Sequence, residues 1–455
     1  MFTTEEIIKA TSAEFVGNVG KITGVSTDSR KIKAGELFVA LRGEKFDGHN
    51  FADVAKKNKA GGILCDHKLN IELPQFIVHN TLTAFQQLAN YHRRKMEIPV
   101  IGVTGTNGKT TVKEMISAIL SKKGNPLCSE ANFNNHIGVP MNLLKIRKDH
   151  THAVIEMGMN HPGEIRILSK IAEPDVGVVT SVGRGHIEFL GSVEEVMRAK
   201  LEILEGLKKD GVMILPKESE FYKEMRSQTL KVGVEKIVSF GCTEKSDVAF
   251  IIKKSNDEGS EGVLKYGDKT AKIRIKFIGK HNCKNAAAAA AATLSINKKL
   301  SLKTIVSALG EMGFVGMRCE IININGAKYI LDCYNANPDS TRAAIDFLGN
   351  IKIAGKKVAL IGDMLELGIC SAKYHKEIGE FAAEKKIDLL LSLGTYADYI
   401  LSGAVDAGMS ENKIKKFYSI ENVKEFLKNE IKAGDVVLIK ASRKARLEQA
   451  IISKN

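Results

Sequence analysis

Gly105-Thr106-Asn107-Gly108-Lys109-Thr110-Thr111 is the run of this chain best suited to chemistry. It follows the apolar stretch Val100-Ile101-Gly102-Val103-Thr104. It opens a segment in which Val112, Met115, Ile116 and Ile119 recur at helical spacing. A strand, a glycine turn and a helix entrance in that order aim backbone N–H groups at a phosphate. Lys109 then serves as a point charge and Thr110 as a Mg²⁺ ligand. The match to a standard phosphate loop is incomplete, because G-x-x-x-x-G-K-[ST] calls for glycine where this chain has Val103. A plain strand–turn–helix accounts for Gly105 and Gly108 but not for Gly-Lys-Thr-Thr, so a nucleoside triphosphate is the expected cosubstrate.

Three further groups could act beside it. Glu156 ends the apolar run Ala153-Val154-Ile155, and His186 follows the run Val176 to Thr180. Both fall at carboxyl ends of strands, where open parallel sheets gather ligands, and together they suit a hard cation. Ser192 and Glu195 have the spacing of a capping box opening a helix, on whose apolar stripe Lys200 falls. Spacing alone favours a lysine that snorkels its charge to water. The other account is a buried, nucleophilic amine able to take up CO₂ as a carbamate, which is itself a carboxylate for Mg²⁺. Asp332-Cys333-Tyr334-Asn335-Ala336-Asn337-Pro338-Asp339-Ser340 follows a strand; Asn337 suits an N-cap and Pro338 the first helical position. Capping leaves Asp332, Tyr334 and Asn335 unexplained, and polar groups converging on a helix N-terminus can hold a small carboxylate.

The elements that must position these groups form an α/β pattern in three segments. Residues 1–97 mix short strands and helices, including Glu36 to Leu41 and the helical Phe85 to Tyr91, and Pro99 marks a seam. Residues 98–313 carry the phosphate loop and alternate strand-like with helical runs, the sign of a parallel sheet covered by helices. Within them Lys253 to Gly262 reads as a hairpin loop, and the seven alanines Ala286 to Ala292 as a tightly packed helix. Residues 314–455 repeat the pattern as a Rossmann-like unit, with strands around Lys328–Leu331, Val358–Ile361, Leu389–Leu391 and Val436–Ile439.

A chain of 455 residues with 8 prolines and average hydrophobic content is expected to fold as a soluble protein. The net charge of +14 would suit a polyanion, but the lysines are dispersed and no aromatic ladder accompanies them. Anionic small substrates are the simpler account, and no nucleic-acid partner is expected. Seven scattered cysteines without a C-x-x-C pair read as reduced thiols. The start of the chain shows no signal-peptide pattern, and no apolar run approaches the roughly 18–20 residues that span a bilayer. A cytoplasmic protein without membrane contact is expected.

In this order the pieces resemble the Mur ligase superfamily, ATP-dependent amide-forming enzymes of peptidoglycan synthesis, over essentially the full length. The markers are Ser26 to Arg30, Gly35 to Gly43, Asp47 to Phe51, Thr104 to Thr111, Asn132 to Pro140, Glu156-Met157-Gly158, Lys200, Gly279 to Asn282 with Asn285, Arg318, Tyr334 to Ser340 and Gly362 to Gly368. The Tyr-Asn-Ala-Asn and Gly-Asp-Met segments resemble the branch that joins D-alanyl-D-alanine to UDP-MurNAc-tripeptide. Asp-Asn-Pro-Arg, typical of the branch adding the third residue, is absent.

The resemblance implies that residues 1–97 bind the UDP-sugar through Ser29, Arg30, Asp47 and His49. It places the ATP phosphates on Gly105 to Thr111 and Lys109, and the adenine near Asn282 and Asn285. Arg318 and Asp332 reach ATP from the C-terminal domain. Thr110 and Glu156 hold Mg²⁺, with His186 and carbamylated Lys200 on a second ion. Asn134 and Asn135 meet the muramoyl-peptide, and Tyr334, Asn335, Asn337 and Ser340 the D-alanyl-D-alanine. It reverses the reading of Lys200 from surface lysine to carbamate, and implies a monomer whose C-terminal domain closes over the central one. The rivals are a folylpolyglutamate- or cyanophycin-type ligase and, from another class, a P-loop ATPase binding nucleic acid. Two departures stand out. Ser181-Val182-Gly183-Arg184-Gly185-His186 replaces the usual Asn-Ile-Gly-x-Ala-His, predicting a looser loop. Lys440-Ala441-Ser442-Arg443 replaces Lys-Gly-Ser-Arg, and Ala441 resists a positive φ.

Overall fold

A computed structural model describes residues 1–130, 133–314 and 316–451, so Asn132 of the Asn132–Pro140 run lies outside the described residues. Besides a two-stranded pair of Phe2–Thr3 and Lys21–Ile22, three larger sheets divide the described chain in sequence order, each with helices against it. In the first, Val25–Ser26, Leu37–Val39, Gly62–Cys65 and Gln75–Ile77 run parallel, and Glu14–Val16 closes one edge antiparallel. The strand expected over Glu36 to Leu41 narrows to Leu37–Val39, all three buried.

The nine-stranded central sheet places Val100–Thr104 between His152–Glu156 and Val176–Val179, all parallel. These three strands are buried almost throughout and read as continuous apolar runs, as parallel strands covered on both faces do. Register sets Glu156 opposite Val103 and Val179 opposite Thr104, so the loops that follow all three strands open at one sheet end. The run Lys253 to Gly262 is mostly strand rather than loop. Val248–Asn256 and Gly259–Tyr266 pair antiparallel and only Asp257 and Glu258 turn between them. Its polar residues sit on a partly solvated antiparallel face, where polarity does not forbid a strand.

The alanine run lies in the Lys280–Ile296 helix, and all seven alanines are fully buried. That helix shares a core with the Lys109–Ser121 helix and strands of the sheet. Covered on more than one side, it is apolar all round rather than amphipathic.

The third sheet runs Glu320–Ile324, Ala327–Asp332, Val436–Lys440, Lys357–Gly362, Leu389–Leu393, Ile414–Phe417, parallel except for the first pair. All four strands expected there are present. Ala441 follows the Val436–Lys440 strand without a positive φ, so the alanine is accommodated in ordinary backbone. Among the described residues no helix is long and apolar enough to cross a membrane.

The junctions differ. The Thr81–Met96 helix joins the first sheet to the second through a continuous apolar core that includes Phe85, Leu88, Val100 and Ile165. Buried Arg93 donates from Nε to Ala172 O at 2.8 Å and from Nη2 to Asp175 Oδ2 at 3.2 Å. The second and third sheets meet instead across a cavity to which many polar and charged residues contribute.

Candidate active site

The cavity has a volume of about 430 Å³ and lies between the central sheet's strand ends and the C-terminal domain. Thr106, Asn107, Gly108, Lys109, Thr110 and Thr111 form one wall, with Asn134, Glu156 and His186 beside them. Asn282 and Asn285 enter from the Lys280–Ile296 helix, and Arg318, Asp332, Tyr334, Asn335 and Ser340 face them from the C-terminal domain. Sixteen of the residues singled out in the sequence therefore meet at one place.

The phosphate loop is tightly braced. Gly108 takes φ +83° at the cap of the Lys109–Ser121 helix, and a Cβ there would fall 2.4 Å from Asn285 Oδ1. Only glycine allows both the turn and that approach. Lys109 Nζ donates to Gly105 O at 2.7 Å, within its own loop. Burial pushes its ammonium below the usual lysine range, while Glu156 opposes that shift.

Glu156 is almost fully buried and accepts at both oxygens: from Thr110 Oγ1 at 2.8 Å and from Asn134 Nδ2 at 2.9 Å. Arg318 reaches across to donate to Thr110 Oγ1 at 2.9 Å, its guanidinium 3.9 Å above the Tyr334 ring. Asp332 pairs with Lys440 Nζ at 2.7 Å, and that amine also donates to Asn335 O at 2.9 Å. Lys440 is buried at the end of its strand and fixes the loop carrying Tyr334 and Asn335, a role that sequence did not single out.

His186 Nδ1 stands 2.7 Å from Glu366 Oε2 of the Gly362–Gly368 segment, which holds that carboxyl below the usual range. Of the two departures in the loop carrying His186, Ser181 is tied to the phosphate loop. Ser181 Oγ accepts from Asn107 N–H at 2.8 Å, and Ser181 O accepts from Thr106 N–H at 2.9 Å. The short serine turns its hydroxyl back onto the phosphate loop.

Lys200 corrects the snorkelling account: it is fully buried, and Nζ has no hydrogen-bond partner among the described residues. Burial and nearby Lys109 both drive its amine well below the ordinary lysine range. It does not line the cavity. Its helix opens as a half capping box: Ser192 Oγ accepts from Glu195 N–H at 3.2 Å, but the Glu195 carboxylate pairs with Arg198.

Some expected contacts are committed elsewhere. Asn135 Oδ1 accepts from Gly138 N–H at 2.8 Å and from Ile137 N–H, capping a helix instead of facing the cavity. Asn337 and Ser340 form a capping box. The buried Asn337 amide also exchanges hydrogen bonds with Asn107, at 2.8 and 3.3 Å, outside the cavity wall. Gly105 is likewise outside the wall.

The N-terminal candidates lie at a second place. Ser29, Arg30, Asp47 and His49 follow adjacent parallel strands of the first sheet. Buried His49 donates from Nδ1 to Asp47 Oδ1 (2.5 Å) and accepts the Asp66 N–H at Nε2 (3.1 Å), while Arg42 bridges Asp47 and Asp66. Arg30 is exposed and paired with Asp28, and Ser29 is buried.

A phosphate loop, a buried carboxylate, a histidine loop and a facing Rossmann-like domain around one cavity define an ATP-dependent ligase of three αβ domains. The comparisons give that class its family. The Mur ligase family catalytic domain matches residues 21–108, the Mur ligase middle domain 103–293 and the Mur ligase glutamate ligase domain 317–443; the chain belongs to the Mur ligase family. It is 36% identical over 451 residues to the UDP-N-acetylmuramoyl-tripeptide–D-alanyl-D-alanine ligase of Bacillus subtilis, covering 98% of this chain and 96% of that protein. The crystal structure of MurF from Acinetobacter baumannii superposes with a TM-score of 0.91 at 33% identity, covering 99% and 98% of the two chains. MurF from Thermotoga maritima in complex with ADP gives 0.83 at 28% identity, covering 94% and 96%.

Proposed function

We infer that this protein is an ATP-dependent, ADP-forming ligase that adds D-alanyl-D-alanine to UDP-MurNAc-tripeptide, yielding the pentapeptide precursor of peptidoglycan. The observation that carries the reading is the single cavity in which the phosphate loop and Glu156 face Arg318 and the Tyr334–Ser340 segment. The working division is 1–97 for the UDP-sugar, 98–313 for ATP and 314–455 for the dipeptide.

The terminal carboxylate of the tripeptide attacks the γ-phosphorus of ATP, ADP departs, and an acyl phosphate forms. The dipeptide amine then attacks the acyl carbon and phosphate leaves. The first step brings anions together, and Lys109, with Arg318 from the opposite wall, supplies fixed positive charge where it is needed. Thr110, Glu156 and His186, with Lys200 as a carbamate, are the residues that would hold Mg²⁺, which when bound neutralises phosphate charge. A buried lysine amine without a partner fits that modification: CO₂ adds to the neutral amine, a proton leaves, and the new carboxylate gives the buried position an anionic group. Asn282 and Asn285 border the space for the adenine. Asn134 and Asn135 meet the peptide end, and Asn335 and Ser340 the dipeptide, with Asn337 capping the helix that carries Ser340. Closure of the C-terminal domain keeps water from the acyl phosphate.

Phosphate release is the decisive measurement. Purified protein with ATP, Mg²⁺ and UDP-MurNAc-tripeptide should release phosphate in step with amide only when D-alanyl-D-alanine is present. Release that ignores the dipeptide, or that follows glutamate instead, would overturn the assignment.

A further inference from the structure

Arg184 occupies the variable position of the histidine loop and makes a dense set of contacts to the C-terminal domain. Its backbone N–H donates to Asp339 Oδ2 at 2.6 Å, and Nε and Nη2 donate to Asp339 Oδ1 at 2.9 and 2.8 Å. Nη1 reaches Glu377 Oε2 at 3.3 Å, and the guanidinium lies 5.3 Å from the Tyr374 ring centre. Asp339 belongs to the first turn of the Pro338–Asn350 helix, and Tyr374 and Glu377 to the Ser371–Glu384 helix.

The flanking glycines make the approach possible. A Cβ on Gly183 would fall 2.3 Å from Asp339 Oδ2, and one on Gly185 would fall 2.7 Å from Thr106 Cγ2 and 3.5 Å from Asn337 Nδ2. The same helix turn is held a second time, by Asn337 on Asn107 of the phosphate loop. An isolated exposed ion pair contributes little. A planar guanidinium sharing one carboxylate with its own backbone N–H, and half-buried against a second acid and a ring, is a defined joint instead.

We propose that Arg184 is a positioning residue, a clasp that holds the C-terminal domain closed on the phosphate and histidine loops. This rests on the ligase reading above. The closed fraction then sets two quantities. The apparent affinity for the dipeptide falls by the factor by which that fraction falls. Water reaches the acyl phosphate whenever the clasp is open. The UDP-sugar end lies on the other side of a continuous apolar junction and is not coupled to it.

The test compares wild type, Arg184→Met and Arg184→Lys by kinetics and by small-angle X-ray scattering with ADP and Mg²⁺. For Arg184→Met, loss of charge-assisted hydrogen bonds should raise the dipeptide KM about tenfold. The tripeptide KM should stay unchanged, phosphate release should exceed amide formation, and scattering should show an expanded particle. Arg184→Lys, keeping charge but not the fork, should fall between. A Met variant with wild-type dipeptide KM, one phosphate per amide and a wild-type scattering curve overturns the clasp. Should Arg184→Met not fold, Glu377→Gln carries the same signs at smaller size, and no change there overturns it equally. Wild type that ligates nothing overturns the ligase reading alone, because the scattering comparison needs no dipeptide.

Discussion

The two junctions of this molecule are built differently: one is a shared apolar core, and the other is mostly polar, although Ile278 reaches into the C-terminal core. Between the first and central sheets, the Thr81–Met96 helix shares an unbroken apolar core with both, and Arg93 is buried against backbone carbonyls. Between the central and C-terminal domains, the contacts around the cavity are polar: Arg318 on Thr110, Asn337 on Asn107, Glu366 on His186 and Arg184 on Asp339. An apolar core cannot part without exposing surface to water, whereas polar contacts exchange with water at small net cost. One junction is therefore suited to keep two binding surfaces in fixed register, and the other to open and close once per turnover.

Substitutions should separate the two. The largest effect is expected at Lys200: Lys200→Ala should abolish turnover while remaining folded, and short carboxylates such as acetate should partly restore it. An active Lys200→Ala enzyme would remove the carbamate from the reading. Lys109→Ala should cost on the order of 10²–10³-fold in turnover, as for a group that stabilises developing charge, with only a small fall in thermal midpoint from its lost loop hydrogen bonds. Arg93→Met tests the other junction. It leaves Asp175 and buried carbonyls without their donor, and should destabilise by about 3 kcal/mol in a denaturant titration. Turnover per folded molecule should hold; a raised dipeptide KM in that variant would erase the contrast between the junctions. The smallest effect is reserved for Ser192→Ala, which touches neither junction. It removes one N-cap hydrogen bond, with about 1 kcal/mol lost and kinetics unaltered.

Much of this division was legible in the residues, and what was not has a physical reason. Strand ends and the phosphate loop announce themselves by local order, since an apolar run, glycine turn and Lys-Thr-Thr are contiguous. The burial of Lys200 was not legible from spacing, only from the family resemblance, because a helical stripe shows which face is covered but not how deeply. Asn135 carries a second role for a related reason: asparagine serves caps and ligands alike, and only the fold shows which N–H groups stand next to its Oδ1. Arg184 passed as a loop residue. Its partners Asp339 and Glu377 are 155 and 193 positions away, and no periodicity spans such a distance. The one local sign was the glycine on either side of it, a signal that the backbone there must meet another surface closely.

The fully buried alanines of the Lys280–Ile296 helix bear on a different property, the width of the space proposed for the nucleotide. Asn282 and Asn285 ride on the first two turns of that helix, and Asn285 closes on Gly108 at the cap of the neighbouring one. The two helices lie only as far apart as the side chains between them allow, and a methyl is the thinnest spacer short of glycine. Methyl groups also have no rotamers to change, so the spacing is stiff as well as narrow. The alanine run thus acts as a gauge block. A single Ala→Val at its centre would widen the slot by splaying two helices, altering nucleotide affinity from a position that touches no nucleotide.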